Sequence, residues 1–211
     1  MIAADSPADQ LGALVAHQAA LRACRVCPDM IGPPVVGKAV VSSVLLMGQA
    51  PGARERDFGR PFAWTAGKTL FGWFETIGLT ERDFRELVYM TAVCRCFPGK
   101  APKGGDRVPG RLEIERCRRW WEHELALLQP RLIIPVGRLA IARFTDAKRL
   151  QDVVGQRWEI GLADGWTAEL VPLPHPSGAS TWFKTEPGRT LLAQALTLIG
   201  SHPAWRELVR A

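Results

Sequence analysis

Short runs of β-branched and aliphatic residues, each followed by a turn and a stretch of helical spacing, set the tightest limit on how this chain can fold. Residues 40–47, 87–94, 132–136 and 170–173 read as strands. Between them, residues 66–77 place Leu70, Phe71 and Phe74 on one side of a helix, and residues 112–128 form a long amphipathic helix that Pro130 stops. Residues 9–22 and 137–144 also read as helices. Pro187 suits the first turn of a last helix reaching about residue 199. Strands alternating with helices predict a three-layer α/β/α domain around a mainly parallel four-stranded sheet, covered on both faces. The 211 residues suffice for one such domain spanning 1–211. Ligands of such sheets collect at the carboxyl ends of the strands. Two of those ends carry unusual loops: Gly48-Gln49-Ala50-Pro51-Gly52, and Pro174-His175-Pro176-Ser177-Gly178.

Cysteines add a second constraint. Cys24 and Cys27 form a Cys-x2-Cys clip, and Cys96 and Cys117 bracket an irregular Pro/Gly/Lys-rich loop over residues 98–110. Four thiolates from two distant segments can hold an iron–sulfur cluster or a structural zinc ion. Cys94 reads instead as a small buried hydrophobe. No signal peptide and no long apolar run is evident, so the expectation is a cytoplasmic protein with reduced thiols, not bound to a membrane. Lys and Arg outnumber Asp and Glu 27 to 21, for a formal charge of +6. That modest excess suits a polyanionic partner if it is concentrated locally. Arg95, Lys100, Lys103, Arg107 and Arg111 crowd around the second cysteine pair and would supply such a patch.

The first motif continues into Gly59-Arg60-Pro61-Phe62 and then Ala66-Gly67-Lys68, and His175-Pro176-Ser177 follows far downstream. Together these segments resemble the uracil-DNA glycosylase superfamily, and the cysteine layout resembles its iron–sulfur branches, families 4 and 5. The resemblance covers most of the chain from Cys24 onward. It implies a [4Fe–4S] cluster on Cys24, Cys27, Cys96 and Cys117, and DNA carrying uracil or another deaminated base as the partner of a monomeric enzyme. It implies a monofunctional glycosylase that flips the damaged base out of the helix and hydrolyses its N-glycosidic bond. On this likeness Gln49, Ala50, Phe62 and Ala92 contact the base, with Phe62 as the stacking face. His175 donates to the departing base, where negative charge grows. Ser177, Gly178, Lys68, Lys100 and Lys103 would meet DNA. The helix opening at Ala66-Gly67-Lys68 also offers free amides for a phosphate.

Four departures qualify the likeness. Gln49 stands where family 4 has Glu. Ala50 stands where the best-known branch has a catalytic Asp, so Glu55 or Asp57 must orient water if water is activated at all. Ala92 replaces the family 4 Asn that reads the uracil edge, which predicts looser base selection. Trp64 replaces a glycine and would reshape the pocket mouth. Ala50 and Ala92 together leave open a catalytically silent DNA- or damage-binding module. A covalent cross-linking relative is disfavoured by the plain His-Pro-Ser-Gly sequence.

Overall fold

The structure is a computed structural model that describes residues 6–210 except Lys103, Ala163, Asp164 and Ala179. Its centre is a sheet of five strands among the described residues: β1 (Val44–Gly48), β2 (Tyr89–Ala92), β3 (Leu132–Pro135), β4 (Trp158–Gly161) and β5 (Thr167–Leu170), in the order β2-β1-β3-β5-β4. The first four in that order run parallel, and β4 pairs antiparallel with β5. The expected three layers are present, but the expected four strands become five. β4 escapes a sequence reading because its side chains are mostly exposed and it lacks an apolar run. The strand expected at 170–173 pairs earlier, over Thr167–Leu170, and rejoins β3 through a parallel Val136–Leu173 bridge.

Alternation along the strands sorts side chains into two cores. Val44 and Leu46 of β1, with Leu132 and Ile134 of β3, face one layer. That layer comprises α3 (Thr65–Glu75), α4 (Glu81–Leu87), α7 (Gly188–Ser201) and α8 (Pro203–Arg210). Leu45, Met47 and Ile133 face the other layer, built from α1 (Pro7–Arg22) and α5 (Arg111–Leu128). The odd and even positions of one strand thus serve opposite cores, as a doubly covered sheet requires. Fully burying each such aliphatic side chain contributes about 1.5–3 kcal/mol. Ser6 caps α1 by accepting from the Asp9 amide, and Gln129 ends α5 in a left-handed conformation just before Pro130. A short helix, α2 (Ala53–Phe58), and one turn of helix, α6 (Arg138–Ile141), follow the carboxyl ends of β1 and β3. No helix among the described residues is long and apolar enough to cross a membrane.

Candidate active site and cysteine cavity

The two loops singled out in the sequence meet at one end of the sheet. β1 and β5 flank β3, and all three run in the same direction. Past the last ladder pairs, the Val136 amide donates to the Met47 carbonyl at 2.8 Å and the Gly137 amide to the Leu173 carbonyl at 2.9 Å. The Gln49 turn and the His175 loop therefore leave neighbouring positions about 10 Å apart, two strand spacings, with Gly137 between them. Gly137 has φ +85°, and a β-carbon there would come within 3.0 Å of the His175 ring. Only glycine satisfies both the dihedral and the contact.

His175 is half-buried, and desolvation alone holds its imidazolium below the ordinary histidine range. The Ser177 backbone N–H donates to Nδ1 at 3.2 Å. A neutral ring whose Nδ1 accepts carries its proton on Nε2, so Nε2–H is a donor. Gly178 is exposed on the same loop.

Phe62 is held in an unusual way. Its φ is +52°, uncommon for a residue other than glycine. Its ring lies against the end of β1, since a β-carbon on Gly48 would touch Phe62 Cζ at 3.1 Å. Ala92 pairs with Gly48 across the ladder, so it lies beside the same floor. Arg85 of α4 fixes the loop by donating to the Pro61 carbonyl at 2.9 Å and the Phe62 carbonyl at 3.1 Å. Its guanidinium is itself held by Glu81 at 2.8 Å and lies over the Phe71 ring at 4.5 Å. Nothing near Arg85 in the sequence announces this role, because its partners lie 23 and 24 residues upstream.

The two acidic candidates part company. Glu55 sits within α2 with its carboxylate turned back to accept from the Gly52 amide, and it also takes a backbone hydrogen bond from Phe62. Burial pushes its carboxyl above the usual carboxylate range, against the pull of those two amides. Asp57 is exposed and paired with the adjacent Arg56 at 2.7 Å. Gln49 and Ala50 are half-buried, and the Gln49 carbonyl accepts from the Cys94 amide at 3.0 Å.

Lys68 is exposed in the first turn of α3, a turn with no acidic residue and no side-chain cap. The expected basic patch is largely neutralised. Lys100 pairs with Asp106 at 2.6 Å, and Arg107 pairs with Glu113 at 2.7 Å. Arg95 is not on the surface at all, and Lys103 lies outside the described residues. Arg95 is fully buried, ion-paired with the buried Glu124 of α5 and donating to Thr91, which in turn bonds Glu124.

Cys24, Cys27, Cys96 and Cys117 line one cavity of about 260 Å³, together with Arg25, Arg95, Met30 and Trp120. Among the described residues no three His, Cys, Asp or Glu side chains stand at the spacing of a single bound ion. Burial and the three neighbouring thiols push Cys96 up to about 12. Cys94 is fully buried and donates to Cys117, which favours the Cys117 thiolate, as does Arg95. Arg95 lines this cavity, and its buried Nε has no partner among the described residues. A bare buried N–H is costly. Four thiol donors and an orphaned cationic N–H suit a polynuclear group with its own sulfur acceptors. A second groove, about 310 Å³, opens at the opposite end of the strands between Arg131, Arg157, Glu169 and His202, whose charges largely pair among themselves.

A phenylalanine at positive φ, a half-buried histidine and the glycines they pack against thus gather at the carboxyl edge of the parallel sheet. The chain belongs to the uracil DNA glycosylase superfamily, whose model matches residues 34–205. It is 32% identical over 139 residues to the Type-4 uracil-DNA glycosylase of Pyrobaculum aerophilum, covering 64% of this chain and 66% of that protein. It is 26% identical over 160 residues to the Type-4 enzyme of Thermotoga maritima, covering 74% and 78%. With the Type-5 uracil-DNA glycosylase of Thermus thermophilus it shares 32% over 152 residues, covering 57% and 67%. The match thus spans about two thirds of the length of most of these relatives.

Proposed function

We propose that this protein removes uracil from DNA by hydrolysing the N-glycosidic bond of an extruded nucleotide. The convergence of the Gln49 turn and the His175 loop across the end of β3 carries this reading. The extruded base would stack on Phe62 over Gly48. As the bond lengthens, charge accumulates on the base carbonyl, and His175 Nε2–H stabilises it there. Removing one such donor costs about 100- to 1,000-fold in rate. Of the two carboxylates, Glu55 is the one beside the Phe62 loop, so it is the candidate for orienting water, and Asp57 is a surface charge. Ala92 offers no side-chain reader, which favours acceptance of deaminated bases beyond uracil. Lys68 and the free amides opening α3 would hold a phosphate, and the exposed Gly178 turn with Ser177 would lie along the strand.

The four cysteines would hold a [4Fe–4S] cluster, and Arg95 would supply an N–H donor and positive charge beside it. The cluster would supply a covalent tie between the end of α1, the segment after β2 and α5. A reducing cytoplasm suits this thiol set. Absorbance near about 400 nm and iron, rather than zinc, in the purified protein test it.

The deciding assay incubates the protein with a uracil-containing oligonucleotide, then breaks abasic sites with hot alkali. Wild type should give breaks, Asp57→Asn should match it, and His175→Ala should lose 100-fold or more. Ala50 favours a second reading, a silent DNA-binding module. Tight binding without breaks on uracil, hypoxanthine or xanthine would establish that instead.

A further inference from the structure

Two aromatic residues beside the cleft have no part in the mechanism above. Phe58 closes α2 and Trp64 precedes α3, and they remain 54% and 48% exposed. Their rings lie near parallel, 22° apart in plane with centroids 6.1 Å apart. The Arg54 guanidinium sits 5.3 Å from the Trp64 centroid. Stacking on each other has not buried them, so self-coverage does not account for the pair. Trp64 is two residues past Phe62, at most about 7 Å along the chain. The pair therefore flanks the Phe62 loop, on which the extruded base is proposed to stack.

Cations near the pair are left unpaired. Arg54, Arg60 and Lys68 are exposed and enter no ion pair among the described residues. The nearby acid Asp57 is already engaged by Arg56. Open aromatic faces interleaved with free cations match the recognition chemistry of unpaired nucleic acid, where bases stack and phosphates are neutralised.

We infer that Phe58 and Trp64 form a stacking platform for an unpaired base next to the extruded nucleotide, so the protein binds single-stranded DNA in preference to duplex. The inference rests on the DNA reading above. In a duplex the flanking bases already stack on each other and offer no free face, whereas in a single strand they do. The platform thus rewards single strands selectively.

The test uses a fluorescein-labelled oligonucleotide of about 15 nucleotides containing thymine and no uracil, free or annealed to its complement, with anisotropy read at fixed salt. Trp64→Ala should weaken single-strand binding by roughly 5- to 150-fold, the effect of losing one base–aromatic stack. Duplex binding should shift by less than about threefold, and Trp64→Phe should restore most of the loss. Phe58→Ala, a surface change outside the cores, should reproduce the selective loss and covers the case in which Trp64→Ala fails to fold. Equal losses on both substrates, or no loss on either, overturn the inference. Because this DNA carries no lesion, the outcome is independent of excision. A wild type that cuts no uracil sinks the glycosylase reading and leaves the strand preference to stand or fall by itself.

Discussion

Gly67→Ala should displace Phe62 and cripple excision while leaving the protein folded. A β-carbon on Gly67 would fall 1.8 Å from the Phe62 carbonyl oxygen and 2.7 Å from its carbonyl carbon. The two segments must part by roughly 1 Å even to reach the tightest tolerated contact, near 3.0 Å. Neither side yields easily. Gly67 is buried in the first turns of α3, and the Phe62 carbonyl is held by Arg85. Overpacking of this kind costs about 1–3 kcal/mol. At about 2–4 °C per kcal/mol for a chain of this size, the melting temperature should fall by roughly 2–12 °C. The effect on chemistry is larger, because a 1 Å misplacement of a substrate-positioning group costs about 100-fold. Single-turnover excision with saturating enzyme, well below the melting transition, isolates that loss. Gly72→Ala is the internal control: it lies in the same helix with nothing within 4 Å of the added carbon. There alanine should raise stability by about 0.5–1 kcal/mol and leave excision alone. Wild-type excision by Gly67→Ala, with an unchanged melting temperature, would refute the placement of Phe62.

Glu124→Ala leaves Arg95 buried without its counter-charge and should cost about 3–5 kcal/mol in urea unfolding. A loss below 1 kcal/mol would mean that Arg95 escapes to water. Desolvation in the fold disfavours the charged form of His175, whereas the unfolded chain protonates its histidines near pH 6.5. Below that pH the unfolded state binds the extra proton, so stability falls as pH drops and is unaffected above about pH 7. His175→Gln should flatten part of that slope between about pH 7 and 5, and identical slopes would contradict the burial. Cys96→Ser should lower bound iron and the absorbance near about 400 nm. Retention of full iron would remove Cys96 from the ligand set.

Much of this architecture is legible in the residues, for reasons that differ by element. β1 and β3 are buried on both faces and announce themselves as apolar runs. Their carboxyl-end turns carry glycine and proline that a helix or strand would reject. β4 is hard to see because it is only four residues long, with Trp158 and Ile160 alternating with charged residues and no apolar run, and its place comes from pairing with β5. α8 lies beyond the last helix expected from the sequence: it opens at Pro203 and buries Trp205 in the core. The cysteine set is readable from spacing. The fate of Arg95 is not, since a basic residue beside a basic loop looks like a DNA contact until Glu124 arrives from another helix. Arg85 illustrates the same limit: its partners are two backbone carbonyls, which leave no trace in sequence.

One pair of backbone bonds links the Gln49 turn to the segment that enters the cysteine cavity. Gly48 and Gln49 accept from the amides of Val93 and Cys94, and Cys96 follows two residues later. The strip of chain that anchors the Gln49 turn is therefore the strip that runs into the thiol cavity. On the proposed reading, loss of the group held by the thiols would therefore be felt at the Gln49 turn as well as in the cavity.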